Sequence, residues 1–127
     1  MIKLNDLQKE VRRLANQYPN AIYQSPDGLD GCYYNVGIVA NGPDTEGCLL
    51  GQAIRNLEPE IFEVIAADGD DIASLICIMD EVFDNSEDEE GDIENWLSIV
   101  QCEQDDGKTW SEAVKIADLN MEEVMVE

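Results

Sequence analysis

The densest chemistry in the chain belongs to carboxylates: Asp68, Asp70 and Asp71, then Asp84, Glu87, Asp88, Glu89, Glu90 and Asp92. Acids this close together can ligate a hard cation, share acid and base work on a glycoside, or offer a basic partner a row of negative charge. Calcium fails on register. With Gly91 at the invariant glycine of an EF-hand loop, Asp88 and Glu90 take ligand positions, but Ser86 opens the loop and Leu97 stands where the bidentate Glu belongs. Starting instead at Asp84 puts Glu89 in the glycine position. A glycosidase pair cannot be singled out among 29 acidic residues.

Other chemistries are excluded by what is missing. The chain has no histidine, which removes Ser–His and Cys–His nucleophile pairs and imidazole zinc sites. Gly42 and Gly47 have phosphate-loop spacing, yet Cys48 and Leu49 follow where Lys and then Ser or Thr are required. Cys32, Cys48, Cys77 and Cys102 are scattered singly, too far apart for a Cys-only zinc site, and read as buried free thiols. The expectation is a protein that is not an enzyme and takes no metal or cofactor.

Charge is the dominant property. Against the 29 acids stand 7 basic residues, for a net −22, and from Arg55 to Lys108 there are 18 acids and no base. Such a field repels nucleic acid, anionic membranes and anionic substrates, and it speeds encounter with basic proteins. No segment reads as a signal peptide or membrane span, so the expected location is cytoplasmic, with thiols reduced.

The elements that must hold these residues follow from periodicity, within one domain spanning 1–127. Thr109 and Glu112 form a capping-box pattern that starts a helix at Trp110, with Ala113, Val114, Ala117, Met121, Val124 and Met125 on one face. Before the turn Asp105-Asp106-Gly107-Lys108, Ile93, Trp96, Leu97 and Val100 repeat the spacing, which predicts an antiparallel helical hairpin anchored by both tryptophans.

Upstream, Leu4, Leu7, Val11, Leu14 and Ala15 predict a helix from about Asp6 to Tyr18, capped by Asn5 or Asp6, with Arg12 and Arg13 paired to the chain's own acids. Ala21-Ile22-Tyr23 and Cys32 to Val39 flank turn residues and predict a β-hairpin, on which Tyr23, Tyr33 and Tyr34 pack. A helical element follows around Gly51, another from Pro59 to Ala66, and an apolar helix from Ile72 toward Val82 and Phe83. The fold class is therefore α+β: mainly helical, with one small N-terminal hairpin and a C-terminal helical hairpin.

Two blocks carry a resemblance. Gly47-Cys48-Leu49-Leu50-Gly51-Gln52-Ala53-Ile54 with Leu57 form the first. The second is Trp96-Leu97, Val100-Gln101, Gln104-Asp105, Gly107, Thr109-Trp110, Glu112-Ala113-Val114 and Ala117-Asp118. Together they resemble small acidic proteins encoded by actinobacteria and their phages, over less than half of the chain. The resemblance implies a phage or mobile-element origin and brings no catalytic residues with it.

Carboxylates three or four apart on a helix lie about 5–6 Å apart, and rows of them can imitate duplex phosphates, spaced about 3.4 Å per nucleotide on each strand. The leading expectation is an acidic protein that occupies the basic, nucleic-acid-facing surface of a host protein. Surface charge serving only solubility is the plain alternative. Two others are a small-ligand pocket between the Tyr23, Tyr33 and Tyr34 hairpin and the Gly51 helix, and homodimerisation through Met121, Val124 and Met125.

Overall fold

A computed structural model describes residues 1–24, 34, 37–68, 72, 75, 76, 79, 81–88 and 90–125, with the backbone alone at 66–68 and 122–125. Among these residues the helices are α1 (Leu4–Gln17), α2 (Leu49–Leu57), α3 (Pro59–Asp68), α4 (Asp92–Asp105) and α5 (Trp110–Met125). The strands are β1 (Ile2–Lys3), β2 (Ile22–Gln24), β3 (Ile38–Ala40) and β4 (Phe83–Asp84). The class expected from periodicity, mainly helical α+β, is the one adopted.

The C-terminal hairpin is the core. Helices α4 and α5 make the most extensive contact in the molecule, and α1 packs on both. Trp110 is wholly buried and meets the Tyr18 ring edge-on at 6.4 Å, and Trp96 is 1% exposed. Gly107, at φ 92°, ends α4 in a Schellman turn: Lys108 N–H donates to Glu103 O and Gly107 N–H to Gln104 O. Helix α5 begins at Trp110, with Glu112 N–H on Thr109 Oγ1. Glu112 does not return the bond. Instead Pro19 O and Ala21 O accept from Ser111 N–H and Trp110 N–H, so the chain after α1 completes the cap.

β2 and β3 run antiparallel in the register Ile22 to Ala40, Tyr23 to Val39 and Gln24 to Ile38. The turn between them, with Tyr33, lies outside the described residues. Two boundaries differ from expectation. Helix α1 starts at Leu4, because Ile2 and Lys3 are extended and no side chain of Asn5 or Asp6 caps the start. Ile72, Leu75 and Ile76 are helical and buried as predicted, but Phe83 is strand rather than helix. The chain turns after Met79, whose carbonyl accepts from both Val82 and Phe83, and β4 then pairs parallel with β1.

Two buried glutamines on α4 hold other elements. No side chain at Cys48 caps α2. Gln104 Oε1 accepts from Leu49 N–H at 2.6 Å, and Gln101 Oε1 accepts from Ile72 N–H at 2.7 Å. One helix therefore caps its neighbours through polar groups a turn apart, each bond satisfying a donor that water cannot reach.

Candidate acidic interface

The described residues of the Asp84 to Asp92 loop, which leave out Glu89, are held largely by their own acids. Asp84 Oδ1 accepts from Ser86 N–H at 3.0 Å, and the Ser86 hydrogen bonds hold its carboxyl below the ordinary carboxylate value. Asn85 O accepts from Asp88 N–H, and Asp88 O from Gly91 N–H. Gly91, at φ 74°, turns the chain so that Asp88 reaches forward to α4: Oδ1 accepts from Ile93 N–H at 2.9 Å and Oδ2 from Glu94 N–H at 3.0 Å. A carboxylate on the first free N–H groups of a helix is favoured by both hydrogen bonding and the helix dipole.

The loop is also fastened to α1. Asn5 Nδ2 donates to Glu87 Oε2 at 2.6 Å, and Lys3 Nζ stands 3.9 Å from Glu87 Oε1, an exposed pair worth little by itself. Glu90 is exposed and Asp92 opens the first turn of α4. The structure thus brings Asp84, Glu87, Asp88, Glu90 and Asp92 into one segment, with Asp84 and Asp88 shaping it. Asp68 ends α3 with its side chain outside the described residues, as are Asp70, Asp71 and Glu89.

Asp88→Ala is expected to lower stability by about 1 kcal/mol, seen as a lower urea midpoint with unchanged slope. Asp88 is for that reason a poor position for a pure charge test.

Outside the Arg55–Lys108 span, Asp6, Asp44, Glu46 and Glu112 are exposed as well, so negative surface extends beyond it. Little of this charge is neutralised internally. Among the described residues, the ion pairs are Lys3–Glu87, Arg12–Asp118, Arg13–Glu10 and Lys108–Glu103, and Lys9, Arg55 and Lys115 have no acidic partner there. Among the described residues, the exposed carboxylates of Asp6, Asp44, Glu46, Glu60, Glu63, Glu81, Glu90 and Glu112 have no cation beside them.

The Arg12 pair is bidentate and backed by a ring. Its guanidinium grips Asp118 with two bonds of 2.6 and 2.8 Å and lies 4.8 Å from the Trp96 ring centroid, and Trp96 Nε1 donates to Asp118 Oδ1 at 2.8 Å. Partial burial raises the Asp118 pKa, but the Arg12 and Trp96 hydrogen bonds outweigh it and hold the carboxyl below its ordinary value. The cluster ties α1, α4 and α5 together. No sequence signal pairs Arg12 with Asp118; each is visible only as a charge on a helix.

Asp105 is the opposite case. Withdrawal of its carboxyl from water at the C-terminal end of α4 pushes its pKa up from 3.8 to about 6, opposed by a hydrogen bond from Gln104 and reinforced by Asp106. The residue as a whole is exposed, so solvent screening leaves about 1 kcal/mol of the full effect. A raised folded-state pKa on an acid means that the ionised form is disfavoured in the fold. Asp105→Asn is expected to stabilise by about 1 kcal/mol at pH 7, a gain that shrinks through about pH 6 and vanishes below about pH 4. Urea unfolding across that range checks it.

The tyrosines pack inward: Tyr23 is 5% and Tyr34 1% exposed. Where a pocket between the hairpin and the Gly51 helix was expected, the Tyr34 backbone rests on Gly51. A Cβ there would fall 2.2 Å from the Tyr34 carbonyl oxygen. Met121 packs partly against the core, which draws one residue of the expected dimer stripe inward; the side chains of Val124 and Met125 lie outside the described residues.

The cysteine expectation needs correcting. Cys48 is buried but disulfide-bonded, its partner lying outside the described residues, and Cys102 is free but exposed. The expectation of a reduced, free thiol therefore does not hold at Cys48. Among the described residues, no helix is long and apolar enough to cross a membrane.

Compared with protein families, curated proteins and solved structures, the chain matches none.

Proposed function

We propose that this chain is a non-catalytic binding protein that occupies a basic, nucleic-acid-facing surface of a partner protein, with the Asp84 to Asp92 loop as its leading contact. The supporting observation is that Asp88 ties this loop to α4 and Asn5 ties it to α1 through Glu87. A fixed array of charge binds without the ordering cost of a flexible acidic tail. Glu90 and Asp92 are assigned to the partner alone, Glu87 faces it while also anchoring the loop to Asn5, and Asp84 and Asp88 hold the shape; Glu87→Gln keeps an amide oxygen that can accept the Asn5 bond. The resemblance to phage-encoded proteins makes a host protein the favoured partner.

The test uses the immobilised full-length chain and proteins retained from a host lysate. Retention is expected to fall steeply with salt, because exposed charges separated by more than about 8 Å are screened at physiological ionic strength. Glu87→Gln with Glu90→Gln is expected to release the same proteins at lower salt. A partner held equally at high salt, or equally by the double variant, contradicts the reading.

A further inference from the structure

An open cleft of about 250 Å³ lies between α1 and α5, lined by Arg12, Asn16, Ser111, Val114, Lys115 and Asp118. It gathers two of the chain's seven basic side chains in one place. Lys115 is exposed and, despite the acid excess, forms no ion pair or hydrogen bond. Arg12 is held still by its two bonds to Asp118 and by the Trp96 face, leaving further N–H groups without protein acceptors. Asp118 accepts three bonds, from Arg12 and Trp96, and a carboxylate has capacity for another.

The cleft thus offers both signs: from α1 the outer edge of the Arg12 guanidinium, and from α5 the Lys115 ammonium and the Asp118 carboxylate that Arg12 holds. The net −22 charge repels free anions, but it exerts no net force on a molecule carrying one charge of each sign. We propose that this cleft binds a small zwitterion of the α-amino-acid type. Its carboxylate lies between Lys115 and the outer edge of Arg12, its ammonium on Asp118, and its side chain over Val114 beside the Ser111 hydroxyl and the Asn16 amide. A cleft of this size suits an amino acid rather than a peptide. The site is independent of the acidic loop, so neither proposal falls with the other.

Heteronuclear NMR on the folded full chain tests it, following the Trp96 indole N–H, which sits on Asp118. L-Alanine titrated to about 20 mM, enough to saturate a millimolar site, is expected to shift that signal and the amides of Ser111 and Lys115. Acetate and methylamine, each carrying half of the ligand's charge pattern, are expected to bind at least about tenfold more weakly than L-alanine. Lys115→Gln, which removes a side chain with no structural bond, is expected to weaken L-alanine binding by a similar factor with the rest of the spectrum preserved. No saturable shift, an equal response to acetate, or unchanged affinity in Lys115→Gln overturns the proposal.

Discussion

Gly51→Ala is expected to destabilise the fold by about 3 kcal/mol, although within a helix the same exchange normally stabilises by about 1 kcal/mol. The sign reverses because of where Gly51 sits. Its missing side chain faces the Tyr34 backbone, and a methyl group would lie 2.2 Å from the carbonyl oxygen, 2.7 Å from Cα and 2.8 Å from the carbonyl carbon. None of these atoms can rotate away as a side chain would. Helix α2 or Tyr34 must move, and both belong to the core. Thermal unfolding checks it, with a drop of roughly 10 °C expected for a domain of this size. A gain in stability would show that Tyr34 does not rest on α2.

The second large effect is expected at Gln104. It is completely buried, and its Oε1 satisfies Leu49 N–H, the first donor of α2. Gln104→Leu keeps an apolar side chain of similar length but leaves that donor buried and unpaired, at a cost of about 2 kcal/mol. Hydrogen exchange gives the local reading: the Leu49 amide should exchange much faster relative to global unfolding, while Ile72, capped by Gln101, should not. Equal loss of protection at both amides would mean that the caps do not act separately.

These two residues also mark where sequence reading stops. Trp96, Trp110 and Thr109 announce the C-terminal hairpin because helix period, cap and turn are local properties. Gln101 and Gln104 stand among polar neighbours and look like solvent-facing positions; only the arrival of α2 and Ile72 against α4 makes them internal caps. The β1–β4 pair is invisible for a similar reason. Two-residue strands carry no alternation, and Ile2 meets Phe83 only after the helices between them have folded back. Phe83 continues an apolar run, so its periodicity reads as helix until the turn after Met79 diverts it.

The acidic loop was half legible. Its composition marked Asp84, Glu87, Asp88, Glu90 and Asp92 as a group, but charge alone does not separate residues that shape the loop from those that face outward. Asp88 lies five and six residues before the N–H groups it accepts from, a reach made by the left-handed turn at Gly91. Arg12 and Asp118 were readable as opposite charges and not as a pair. The Tyr34 contact with Gly51 joins segments with no common pattern, and so a pocket was expected where two backbones touch.

Competition with nucleic acid tests the central claim most directly. A partner captured through the Glu87 and Glu90 face should be released by duplex DNA or RNA in a concentration-dependent way, and the chain should displace that nucleic acid from the partner in return. Simultaneous binding of the chain and the nucleic acid to one partner molecule would contradict the account.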